Sequence, residues 1–82
     1  MKVEFHKSFL KDFKKAKRTY LLPTIKHLIE IVKNNPYEAY PPYEKLEGKC
    51  CEYSRRINEQ HRLVYEISDD TIIFLHCWGH YE

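Results

Sequence analysis

The spacing of apolar side chains divides this chain into six elements. Val3 and Phe5 alternate with polar neighbours over residues 2–6, the period of a short half-buried strand. From Ser8 the period becomes 3.6: Phe9, Phe13 and Ala16 share one face, and Lys11, Lys14, Lys15 and Lys17 turn towards water. Arg18-Thr19 interrupts this first helix, with Thr19 the candidate cap of a second over residues 20–34. The second helix carries its stripe on Leu22, Ile25, Leu28, Ile29 and Val32. Pro23 is tolerated only in its first turn, and Asn34-Asn35-Pro36 stops it. Residues 37–47 read as a loop, because Pro41-Pro42 force extended backbone at Tyr40, and Gly48 reads as a turn. Three strand patterns rich in β-branched and aromatic residues follow at 50–57, 61–68 and 71–78. In the last, Ile72, Phe74, His76 and Trp78 alternate with Ile73, Leu75 and Cys77, the mark of burial on both faces.

The resulting order is β-α-α-β-β-β. It predicts an α+β fold: a small, mainly antiparallel sheet with the two N-terminal helices packed on one face, its last three strands a meander.

The hairpin Y-S-R-R-I-N-E-Q-H-R-L-V-Y at 53–65 carries the most information. A three-residue loop at Asn58-Glu59-Gln60 pairs Ile57 with His61, Arg56 with Arg62, Arg55 with Leu63 and Tyr53 with Tyr65. Like charges facing each other across a strand pair are destabilising, so structure alone would not choose the arginines. A two-residue loop would put them on opposite faces. Only the first register makes an anion clamp, most naturally for phosphate; the alternative is a pair of ordinary solvated arginines. Glu44 in the Pro-rich loop and His80-Tyr81 after the last strand add an acid and a base for the same sheet edge.

At 82 residues the chain is read as a single domain, 1–82, with a limited core. Apolar content of 43% and aromatic content of 15% are globular values. No apolar run has bilayer length and the N-terminus lacks a signal-peptide pattern, so no membrane is expected. Three cysteines, two of them vicinal at Cys50-Cys51, make no disulfide framework; the expected location is cytoplasmic, with reduced thiols. Cys50, Cys51, Cys77, His76 and His80 match no zinc spacing, and no metal or other cofactor is expected. His6, His27 and His61 read as surface or packing residues. A net charge of +2 argues against nucleic-acid binding by bulk electrostatics, yet Lys45, Lys49, Arg55, Arg56 and Arg62 cluster around the clamp. Trp78 is a candidate platform for stacking a base.

The segment S-R-R-I-N-E-Q-H-R-L-V-Y at 54–65, E-K-L at 44–46 and H-Y at 80–81 together resemble the YoeB branch of the RelE superfamily of bacterial toxins. The similarity is strongest across residues 44–81, and the two-helix start has that family's layout. The resemblance implies a RelE-like microbial RNase fold and a type II toxin that cleaves mRNA in the ribosomal A site. It further implies Glu44 as general base, Arg56 and Arg62 as phosphate stabilisers, and His80 as general acid with Tyr81 beside it. Lys45, Lys49 and Arg55 then become RNA contacts. The implied partners are a cognate antitoxin whose partly disordered segment covers the site and, through that antitoxin only, operator DNA; a homodimer is left open. Two departures stand out. The loop between Leu46 and Ser54 is a residue shorter than in the best-known member, and Glu47 occupies a place often basic, leaving Lys45 or Lys49 for that role.

The chemistry fits these residue types on its own terms. RNA brings its own nucleophile, the 2′-hydroxyl, so an enzyme need only position it, remove its proton, protonate the leaving 5′-oxygen and neutralise the phosphorane. Histidine, with a reference pKa of about 6.5, suits the acid. The competing reading is a non-catalytic module that holds an antitoxin or RNA in the same basic groove. The complete Glu44–Arg56–Arg62–His80 set favours the nuclease.

Overall fold

The computed structural model describes residues 1–48 and 51–79. In chain order it contains β1 (Lys2–Phe5), α1 (Lys7–Ala16), α2 (Leu22–Asn34), β2 (Tyr43–Lys45), β3 (Glu52–Arg56), β4 (Arg62–Ser68) and β5 (Thr71–His76). The strands form one sheet in the order β1-β5-β4-β3-β2, with β1 parallel to β5 and every other pair antiparallel.

The helices follow the 3.6-residue stripes. His6 caps α1 by accepting from the Ser8 amide at 3.1 Å, and Phe9 and Ala16 are buried beneath it. Phe9 lies 5.2 Å from Phe5 and 5.9 Å from Phe74 between ring centroids, so β1, α1 and β5 share one aromatic cluster. From α2, Ile25, Leu28 and Val32 are buried on the same core, which the sheet completes with Leu63, Tyr65, Ile72 and Phe74. The second helix starts two residues later than its pattern suggests. Thr19 instead spans the gap between the helices, donating to the Ala16 carbonyl at 2.7 Å and accepting from the Leu21 amide at 3.1 Å, which leaves Tyr20 exposed.

Two strand expectations need correction. Residues 43–45 form an edge strand rather than a loop, pairing Tyr43 with Arg55, Glu44 with Ser54 and Lys45 with Tyr53. The extended backbone after Pro41-Pro42 lays this segment along β3, and the Tyr43 ring packs edge-on to Tyr53 at 5.7 Å. At the other end β5 stops at His76, because its register against β4 shifts between Val64 and Tyr65. Asp12 of α1 closes that end, accepting from the Cys77 amide at 3.2 Å and lying 3.1 Å from the His76 Nδ1. Burial, helped by the Asp12 carboxylate, pushes the Cys77 thiol up to about 12, so it is an inert core residue.

The least expected packing is that of Arg55. Lying opposite Leu63, it points towards the helices and is fully buried. Its Nε donates to the Tyr65 hydroxyl at 3.1 Å, one terminal nitrogen donates to the Pro41 carbonyl, and the other to the carbonyls of Pro36 at 3.1 Å and Glu38 at 3.0 Å. The guanidinium also sits 5.0 Å from the centre of the Tyr43 ring. Residues 36–41 have no ladder partners of their own, and this cation supplies the donors their carbonyls need. Arg55→Leu leaves the Glu38 and Pro41 carbonyls without that donor, each worth about 1–3 kcal/mol when left unmade, while the Pro36 carbonyl keeps only the Tyr65 hydroxyl at 3.2 Å. We expect a loss of at least about 3 kcal/mol, read as a lower urea midpoint at unchanged slope. A midpoint within experimental scatter of wild type would refute the anchoring role.

Candidate anion-binding groove

The hairpin loop sets the site. The side-chain oxygen of Asn58 accepts from the amides of Gln60 at 2.9 Å and His61 at 2.7 Å, while the Ile57 amide donates to the His61 carbonyl at 2.9 Å. This closes a three-residue loop, and Arg56 falls directly opposite Arg62. The pleat then puts Arg56, Arg62 and Ser54 on the sheet face away from the helices, since their neighbours Leu63 and Tyr65 belong to the helix-covered core. Glu44, in register with Ser54, joins them.

Arg62 is held from two sides. One terminal nitrogen lies 3.5 Å from a Glu44 carboxylate oxygen and donates to the buried Ser54 hydroxyl at 3.3 Å. The Arg62 side chain is 15% exposed but that of Glu44 is 69% exposed, so their ion pair is well screened and worth under about 1 kcal/mol. Arg56 is exposed. Pro41, Pro42, Glu44, Arg56, Ile57 and Arg62 line a groove of about 460 Å³. Two guanidinium groups and one carboxylate leave it with a surplus positive charge, and two stiff prolines form its wall.

Three other residues proposed from the sequence do not belong to this groove. Arg55 cannot contact RNA, because it is buried under the opposite face. Lys45, in register with Tyr53, is turned by the pleat away from the face of Glu44. The Trp78 indole is packed on the core and stacks at 3.9 Å on the His61 ring, so that face is not open to a base. Lys49, His80 and Tyr81 lie outside the described residues. Sequence reasoning missed Ser54, whose signal was its alternation with Arg56, and the prolines, which read only as loop formers. It also treated His61 as a surface or packing residue. Its Nδ1 accepts from the Gly79 amide at 2.8 Å, and the Arg62 amide donates to the Gly79 carbonyl at 3.2 Å. Among the described residues, no three His, Cys, Asp or Glu side chains converge as a metal site, and no helix is long and apolar enough to cross a membrane.

Solved structures that share this architecture include bacterial toxins. The chain superposes on a YoeB/ParE toxin from Agrobacterium tumefaciens with a TM-score of 0.88 at 30% identity, covering 99% of this chain and 100% of that one. On the YoeB dimer from Staphylococcus aureus the TM-score is 0.83 at 30% identity, over 99% and 98% of the two chains. The toxin of the Escherichia coli DinJ-YafQ complex shares the fold, with a TM-score of 0.82 at 23% identity over 95% and 91%. The architecture is thus that of the RelE-like toxins. In sequence, Toxin YoeB of Synechocystis sp. is 38% identical over 63 residues, spanning 76% of this chain and 73% of that protein. Residues 5–81 match the model of the YoeB-like toxin of bacterial type II toxin-antitoxin systems, and the chain belongs to that family.

Facing arginines have a cost that substitution can expose. Arg56→Gln removes the like charge while keeping a polar hydrogen-bonding side chain, and should leave stability unchanged or raise it by about 0.2–1 kcal/mol. Sulfate should raise the melting midpoint of the wild type clearly more than that of the variant, because a bound anion stabilises only the state that holds it. Equal sulfate shifts would show that the two arginines do not act on one anion.

Proposed function

We propose that this toxin is an endoribonuclease that cleaves mRNA on the ribosome, with the groove holding the scissile phosphate. The observation that carries this reading is the facing Arg56–Arg62 pair on one open sheet face, with Glu44 against Arg62. Glu44 takes the proton of the ribose 2′-hydroxyl, and the 2′-oxygen attacks phosphorus. Arg56 and Arg62 neutralise the charge that grows on the phosphorane oxygens. The bond from phosphorus to the 5′-oxygen breaks, leaving a 2′,3′-cyclic phosphate, and His80 with Tyr81 beside it delivers the proton to the departing 5′-oxygen. A carboxylate is a weak base at neutral pH, so much of the acceleration must come from orientation, which the ribosome supplies by presenting the mRNA. The contact between Arg62 and Glu44 supports this order of events. A phosphate entering the groove competes for the guanidinium and frees the carboxylate to accept a proton.

The same groove is the proposed docking place of an antitoxin. Solved relatives include a YoeB-YefM complex from Staphylococcus aureus, whose toxin this chain matches with a TM-score of 0.80 at 30% identity over 99% and 98% of the two chains. For this chain we propose an antitoxin segment with acidic and apolar residues lying over Arg56, Arg62 and the proline wall.

Two outcomes test these assignments. His80→Gln keeps size and hydrogen bonding but delivers no proton, so single-turnover cleavage on programmed ribosomes should fall roughly 100-fold or more while ribosome binding stays near normal. Near wild-type cleavage would assign the acid to another group. Separately, Arg56→Ala and Arg62→Ala should each weaken antitoxin binding by about 2–5 kcal/mol, mostly through faster dissociation. Unchanged affinity in surface-plasmon measurements would move the inhibitory contact elsewhere.

A further inference from the structure

The start of β4 does more than display Arg62. Past the end of β5, the chain returns to it through a set of contacts centred on His61. The His61 ring lies on the Trp78 indole with centroids 3.9 Å apart and planes 25° from parallel. Its Nδ1 accepts from the Gly79 amide at 2.8 Å, and the next residue, Arg62, where β4 begins, donates its amide to the Gly79 carbonyl at 3.2 Å. Both polar groups of Gly79 are therefore tied to two successive residues, His61 just before β4 and Arg62 at its start. Gly79 has φ of +101°, a backbone conformation that a side chain would oppose, so this return needs glycine.

The residue type at position 61 is what these contacts demand. A backbone amide can only donate, so Nδ1 must be bare and the ring proton must sit on Nε2. Phenylalanine would supply the flat face without the acceptor, and asparagine the acceptor without the face. Histidine gives both from one ring.

We infer that His61 is a positioning residue for the proposed acid, holding the backbone of Gly79 against Arg62 so that the residue that follows serves the phosphate clamp. This rests on the reading of His80 as the acid, since His80 is the next residue after Gly79. His61 touches no reacting atom. It acts through the backbone of Gly79, and its contribution should appear only in the step that needs a delivered proton.

The test uses the full-length toxin on mRNA-programmed ribosomes, with His61→Phe, His61→Asn and His80→Gln. Two substrates are compared: ordinary mRNA, and mRNA with a bridging 5′-sulfur at the cleaved linkage, whose thiolate departs without protonation. On ordinary mRNA, His61→Phe should lower the single-turnover rate roughly 10- to 100-fold with little change in the half-saturating ribosome concentration. His61→Asn should recover part of that loss. On the sulfur-linked substrate the loss should largely disappear, and in the His61→Phe/His80→Gln double variant it should not add to that of His80→Gln. Equal losses on both substrates, or additive losses, would overturn the inference and leave His61 a general structural residue. Full activity of His61→Phe would overturn it as well. Hydrogen exchange at the Gly79 amide gives an activity-independent readout: slow in wild type and His61→Asn, fast in His61→Phe. If His80→Gln cleaves normally, the acid assignment fails by itself, and the exchange result alone decides whether His61 holds the segment.

Discussion

A buried guanidinium with loop carbonyls for company is the constraint on which the rest of this structure depends. Arg55 enters the core from β3 and meets the carbonyls of Pro36, Glu38 and Pro41 together with the Tyr65 hydroxyl. A charge removed from water needs most of its donors used, and the planar fork of arginine can reach several carbonyls of one loop at once; an ammonium group could not copy that geometry. In return the segment between α2 and β2, which has no ladder hydrogen bonds of its own, takes one shape. The groove wall is part of that segment, since Pro41 lines the groove while its carbonyl is held from behind. Thus the inner face of β3 shapes the loop, and the outer face of the same strand presents Arg56 to whatever enters.

The charges on the open face are graded along the strands. At the hairpin end Arg56 faces Arg62, and at the far end Glu52 faces Glu66. Each pair opposes folding slightly, by the usual rule for like charges across a ladder. Together they give the face a direction: an anion is drawn towards the hairpin and repelled from the opposite end. Such an arrangement discriminates more by position than by total charge, in keeping with a chain whose net charge is only +2.

Much of this was legible from residue order because the controlling interactions are local. Loop length at Asn58-Glu59-Gln60 and the alternation around it decide the hairpin register, and the helix stripes need only a 3.6-residue period. What stayed hidden depends on contacts far apart in the chain. The strand at 43–45 is three residues long, follows two prolines, and exists only because β3 offers it an edge. Lys45 looked like a groove residue because its parity is set by that pairing rather than by its neighbours. Arg55 and Arg56 are chemically identical in the sequence. The facing Leu63 was a clue to the burial of Arg55, but its partners are carbonyls 14 to 19 positions away, and a carbonyl leaves no trace in side-chain identity. His61 and Trp78 likewise take their roles from a return of the chain that no periodicity announces.

Consecutive arginines with opposite duties also bear on how such a toxin can be lost. Because β3 alternates, foldability and the anion clamp are written in the same frame, one residue out of phase. Deleting or inserting a single residue in β3 would send the clamp arginine inward and the anchoring arginine out to solvent, spoiling both at once. Slippage therefore offers no route to a sound but harmless scaffold. On the proposed reading of the groove, a lineage escaping this toxin while keeping its folded body would change letters at Arg56, Arg62 or Glu44 and leave the spacing of the hairpin intact.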